Sequence, residues 1–75
     1  MNQTSRRVSP PRTYRKPEDL KKINYNREAE FVFKDGSIYY GWCDGEIGAD
    51  GYFYIESTVG HSAHKLEYLE KWRYL

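Results

Sequence analysis

Apolar and polar positions alternate most regularly between residues 29 and 43, on both sides of Asp35-Gly36. Ala29, Phe31 and Phe33 precede the pair, with Glu30, Val32 and Lys34 interleaved. Ile38, Tyr40 and Trp42 follow it, with Ser37, Tyr39, Gly41 and Cys43 interleaved. A period of two marks a strand with one buried face. Asp-Gly between two such runs predicts a hairpin with a two-residue turn. That turn sets Lys34 against Ser37, Phe33 against Ile38, Val32 against Tyr39, Phe31 against Tyr40 and Ala29 against Trp42. Ala29, Phe31, Phe33, Ile38, Tyr40 and Trp42 then share one face, the expected core. A one-residue slip would mix the faces.

Beyond the hairpin, residues 43–51 hold three glycines and three carboxylates and read as a loop. Alternation resumes from Tyr52, with Phe53 and Ile55 on one face and Tyr52, Tyr54 and Glu56 on the other. Val59 to His64 reads as a turn. The last eleven residues fit two descriptions. Leu66, Leu69, Trp72 and Leu75 recur every three residues, as on a helix. Leu66 with Tyr68, then Trp72 with Tyr74, fit two short strands broken at Leu69-Glu70. Two strands are the assignment taken, because a hairpin plus one strand leaves two edges in need of cover.

Upstream, residues 1–16 are polar and basic, contain Pro10 and Pro11, and show no apolar period. They are expected to form a flexible arm. Pro17 suits the first position of a short helix, with Glu18 and Asp19 at its positive end and Lys21 and Lys22 at its negative end. Leu20 and Ile23 would share its buried face. The expected organisation is therefore an arm over 1–16 and one small domain over 17–75.

Charge sharpens this division. Residues 1–27 carry eight basic side chains against two acidic ones, net +6, and residues 28–75 carry four against nine, net −5. A single cysteine, Cys43, rules out an internal disulfide. No apolar run approaches the roughly 20 residues of a membrane span. A cytoplasmic protein without membrane contact is expected, as a monomer or weak dimer. Eight Tyr, three Phe and two Trp compensate for a short chain, since each large ring buries about 150–250 Å².

The predicted order of arm, short helix and five strands resembles the small five-stranded barrels of the SH3-like and Sm-like type. Residues 31–57 are similar to the first Sm motif. They hold an apolar strand, Lys34-Asp35-Gly36 at the turn, Gly41 in the second strand, Asp50 in the next loop, and a third strand from Tyr52 to Ile55. The resemblance implies a mainly β barrel. The second Sm motif, an apolar-Arg-Gly element that helps to hold RNA bases, has no counterpart near His61 to Glu70. The chain also resembles small bacterial regulators that have Sm-like barrels and inhibit the Rho termination factor. These too have a short helix before the barrel and an acidic surface.

No constellation of acid, base and nucleophile emerges, and no cofactor or metal is expected. Cys43, His61 and His64 lack the paired spacing of a zinc site. Asp44, Glu46 and Asp50 miss the calcium-loop pattern. The expected function is a non-enzymatic adaptor or inhibitor-type regulator. Tyr39, Tyr52 and Tyr54, off the core face, with Asp44, Glu46 and Asp50, would grip a basic protein. The alternative is a direct RNA- or DNA-binding module, with Arg6, Arg7, Arg12, Arg15, Lys16, Lys21 and Lys22 meeting phosphates while the tyrosines stack on bases.

Overall fold

The computed structural model describes residues 12–75, and in it Asp35-Gly36 reverses the chain as expected, but not by the expected turn. Among the described residues, none other than glycine has positive φ. A two-residue Asp-Gly turn of the favoured hairpin type needs positive φ at both positions, so Asp35 excludes it. The Gly36 N–H donates to the Phe33 carbonyl (2.9 Å) and the Phe33 N–H to the Ser37 carbonyl (2.9 Å). Gly36 takes φ +92°. The loop is thus three residues, Lys34 to Gly36, with glycine at the left-handed position. The Asp35 carboxylate fastens it by accepting from the Ser37 N–H (2.9 Å) and hydroxyl (2.7 Å).

One extra loop residue shifts the ladder by one. Strand β1 (Ala29–Phe33) pairs antiparallel with β2 (Ile38–Gly41), with Ala29 opposite Gly41, Glu30 opposite Tyr40, Phe31 opposite Tyr39 and Val32 opposite Ile38. Every side chain of β2 therefore faces the side opposite to the one expected. Tyr39 and Gly41 join Phe31 and Ala29 on the inner face, followed by the fully buried Cys43. Ile38 and Tyr40, expected in the core, point outward and remain 48% and 52% exposed. Trp42 is half-buried.

The expected alternation of Phe53 and Ile55 inward with Tyr52, Tyr54 and Glu56 outward holds in β3 (Tyr52–Ser57). The next strand lies earlier than expected. β4 (Gly60–Lys65) covers most of the segment read as a turn, and it pairs with β3 from Tyr52–Lys65 to Ser57–Gly60. Thr58 and Val59 alone make the reversal. A short 3-10 turn, Leu66–Tyr68, leads into β5 (Leu69–Tyr74). The segment Pro17–Lys22 is also 3-10 rather than α-helical. It buries Leu20 and Ile23, the pair expected to share a face.

Among the described residues, five strands form two antiparallel sheets, β2-β1-β5 and β3-β4, rather than the closed barrel expected. The sheets are stitched where Trp42 and Glu56 exchange two backbone hydrogen bonds (2.8 and 2.7 Å). Between the sheets sit Phe31, Phe33, Phe53, Ile55, Leu69, Trp72 and Tyr74, with Leu20 and Ile23 closing one side. A stack of rings runs through this layer, with Phe33 and Phe53 6.3 Å apart and nearly parallel.

Residues 12–16, expected within the flexible arm, are laid along β5. Arg15 and Trp72 exchange backbone hydrogen bonds (2.6 and 3.2 Å), and the Trp72 indole N–H donates to the Lys16 carbonyl (3.0 Å). This covers part of an edge that would otherwise stand open. The Arg15 guanidinium lies over the Tyr74 ring (4.9 Å) and the Trp72 ring (5.6 Å).

Candidate functional site

A groove of about 640 Å³ opens at the end of the molecule where the β1–β2 turn meets β3, β4 and the 3-10 turn 66–68. The local folding of each element supplies part of it. The tight turn after Phe33 places Lys34 and Asp35 at the rim, and the Lys34 N–H donates to the Tyr68 carbonyl (2.8 Å). The Leu66 N–H donates to the Gly51 carbonyl (2.8 Å), fixing the 3-10 turn to the start of β3. Three half-exposed rings line the groove: Tyr39, Tyr52 and Tyr68.

His64 also lines it, among aromatic neighbours. Its imidazole lies 4.5 Å from the Tyr39 ring and 4.8 Å from the Phe33 ring. Ser62 Oγ and His64 Nε2 are hydrogen-bonded at 2.7 Å. Burial disfavours the charged imidazolium and lowers the His64 pKa. Lys65 Nζ reaches to 6.0 Å from the Tyr52 ring and 3.9 Å from Glu67 Oε2.

Lys34 and Lys65 line a second depression as well, of about 510 Å³, so the two are neighbours. Its other charged groups are Glu18, Asp50 and Glu67, beside Pro17, Leu66 and Leu69. The Asp50 carboxylate accepts from the Tyr52 N–H (3.1 Å), which holds the loop's end against the first tyrosine of β3. The composite surface has rings at one end and three carboxylates at the other.

The structure brings together only part of the site expected from sequence. Tyr39 and Tyr52 line the aromatic groove and Asp50 the acidic depression. Tyr54 lies elsewhere on β3, facing His61 at 6.0 Å between ring centres. Asp44 does not line either depression; its carboxylate accepts from the Glu46 N–H (3.0 Å). Nearby, the Tyr25 hydroxyl donates to the Glu56 carboxylate, and that bond, burial and the charges of Glu56 and Asp44 raise the Tyr25 pKa. Glu46 is exposed on the same loop. Tyr68, His64, Glu18 and Glu67 enter the site without a local signal, because residues from five strands and two 3-10 turns assemble it. Arg6 and Arg7 lie outside the described residues. Arg12, Arg15 and Lys16 run along β5, while Lys21 and Lys22 are exposed at the end of the first 3-10 turn.

The site offers stacking, apolar contact and charge. Cys43 is buried and its thiol is pushed up to about 11 by desolvation, far from a nucleophilic thiolate. Among the described residues no three His, Cys, Asp or Glu side chains stand close enough to hold a metal ion, and no helix is long and apolar enough to cross a membrane. No protein-family profile matches the chain, and no curated protein and no solved structure matches it.

Proposed function

We propose that the chain is a non-enzymatic binding module, a regulator or adaptor that holds an extended segment of a basic protein in the composite groove. The observation that carries this reading is the continuity of the Tyr39–Tyr52–Tyr68 groove with the depression bearing Glu18, Asp50 and Glu67, joined through Lys34 and Lys65. Tyrosines provide large rigid contact area with a polar tip, which suits protein interfaces. Three carboxylates against two lysines favour a partner residue of positive charge, and they would steer its approach. The overall division of charge, with residues 28–75 at net −5, favours the same class of partner.

The SH3-like description belongs to the same proposal. It is supported by β1 lying between β2 and β5, by the pairing of β3 with β4, and by the 3-10 turn between β4 and β5. A cytoplasmic setting, in which the lone Cys43 stays reduced, is part of it.

The test compares proteins captured by the intact chain, after nuclease treatment, with those captured by Tyr52→Ala/Tyr68→Ala. A protein held by the first and lost by the second supports the groove. For that protein, Asp50→Asn/Glu67→Gln should slow association and weaken its dependence on salt. Equal capture by both chains, or an unchanged association rate, refutes the reading.

A further inference from the structure

The one-residue shift of the β1–β2 ladder creates a second surface on the outward face of the β2-β1-β5 sheet. Two rows of side chains cross it. Tyr40, Glu30 and Arg73 are register partners in one row, and Ile38, Val32 and Lys71 in the other. At the β2 end stand Tyr40 and Ile38, both about half exposed, with Trp42 continuing their line along the strand. At the β5 end stand cations. Lys71 Nζ lies 4.2 Å and the Arg73 guanidinium 4.4 Å from the centre of the Tyr14 ring, and Arg73 Nη1 donates to the Arg12 carbonyl (3.5 Å). Glu30 is buried, paired with Arg73 (2.5 Å) and accepts from the Tyr14 hydroxyl (3.3 Å), while Arg12 Nε donates to the Leu75 carbonyl (3.3 Å) and Lys71 has no ion-pair partner among the described residues.

We infer that this face is a platform for single-stranded nucleic acid, with a base stacked on Tyr40 against Ile38 and the backbone phosphates led along Lys71, Arg73 and Arg12. The two ends of each row are two strand spacings apart, about 10 Å, a span that long basic side chains shorten. Aromatic stacking beside a cationic track is how single strands are held without sequence preference. Charge selects this occupant over two others. A second copy set face to face would bring a second set of Arg12, Lys71 and Arg73 into the same interface. Residues 1–11 would bring Arg6 and Arg7 to a face that is already basic. A polyanion gains from Lys71 and Arg12, and less from Arg73, whose charge Glu30 already answers. The site is separate from the groove of Tyr39, Tyr52 and Tyr68 and stands or falls without it.

Fluorescence anisotropy with labelled oligo-U and oligo-dT of about 20 nucleotides, added to the full chain, tests the inference. Tyr40→Ala should weaken binding roughly tenfold, the loss of one stacked base, whereas Tyr40→Phe should keep it. Lys71→Gln should lower the salt slope by about 0.7, one phosphate contact on a single strand. Tyr52→Ala/Tyr68→Ala should bind as the unaltered chain does. Preference for oligo-U over oligo-dT, or the reverse, decides between RNA and DNA. The inference is overturned if neither oligonucleotide binds at low salt, if Tyr40→Ala binds normally, if the groove variant is the one that loses binding, or if poly-glutamate displaces the oligonucleotide equally well.

Discussion

Gly41 touches the backbone of Glu56 so closely that a Cβ on it would stand 2.1 Å from the Glu56 carbonyl oxygen and 3.0 Å from Ile55 Cγ2. That carbonyl accepts from the Trp42 N–H at the point where β2 and β3 are stitched together. A side chain at Gly41 cannot be accommodated by rotating a neighbour, because the obstacle is backbone. Gly41→Ala should cost about 3 kcal/mol or more, at the upper end of what overpacking does. The urea midpoint measures it, and an unchanged midpoint would show that the two strands do not approach this closely.

The hairpin loop makes a different prediction. Gly36 has φ +92° and no neighbour that an added Cβ would meet. Gly36→Ala should therefore cost only the left-handed penalty, about 1–2 kcal/mol, and Gly36→Asn less. Asp35 is exposed, and the donors of Ser37 hold its carboxyl below the usual carboxylate range. A depressed folded-state pKa contributes stability above the unfolded value and loses it as pH falls through the folded value. Asp35→Asn should flatten the acid limb of stability against pH, as read by thermal melts from neutral pH downward.

Cys43 should be silent until the domain opens. A thiol reagent at about pH 8 should leave the native chain unmodified and react fully in guanidinium chloride. Its raised pKa has the opposite sign to that of Asp35. The folded state keeps the proton while the unfolded thiol loses it, so stability is complete below the ordinary thiol range and declines as pH rises towards about 11. Cys43→Ala should remove that decline. Rapid native labelling would mean that the loop after β2 does not cover the sulfur.

His64 links the groove to pH. Its pKa is lowered by burial from 6.5, so the unfolded chain binds a proton more readily than the folded one. The resulting stability is complete above about pH 6.5 and is lost as pH falls towards the folded-state value. His64→Leu should abolish this part of the pH dependence, measured as the difference in denaturant midpoint between about pH 7 and pH 5. An NMR titration should find the His64 ring less protonated than an ordinary imidazole at the same pH.

Much of the fold was legible because local chemistry and final structure agree. Phe53 and Ile55 alternate with Tyr52 and Tyr54, and β3 is buried on one face as that pattern requires. Leu20 and Ile23 are buried together although their helix is 3-10 rather than α. β4 was not legible. "GHSAHK" shows no clean apolar alternation, because this strand has a partner on one side only and is held by backbone bonds to β3. Half of the candidate site was hidden for a related reason. Tyr68 and Glu67 sit on a three-residue 3-10 turn whose position depends on Lys34 and Gly51, distant in sequence. Trp72 and Tyr74 were legible as strand residues, but not as the surface on which Arg15 lies.

The sequence by itself determined that the runs of β1, β2 and β3 and the end of β5 would extend, that Asp35-Gly36 would turn the chain, and that one end of it would be basic and the other acidic. These follow from side-chain period, from the backbone freedom of glycine and from counting charge. Only the tertiary structure decided which face of β2 is inside. A two-residue and a three-residue loop both satisfy Asp-Gly locally, and they differ by one step in register. The step that places glycine rather than tryptophan against Ala29 lets β2 reach Glu56 and brings the two sheets together, and it turns Tyr40 and Ile38 out to the surface.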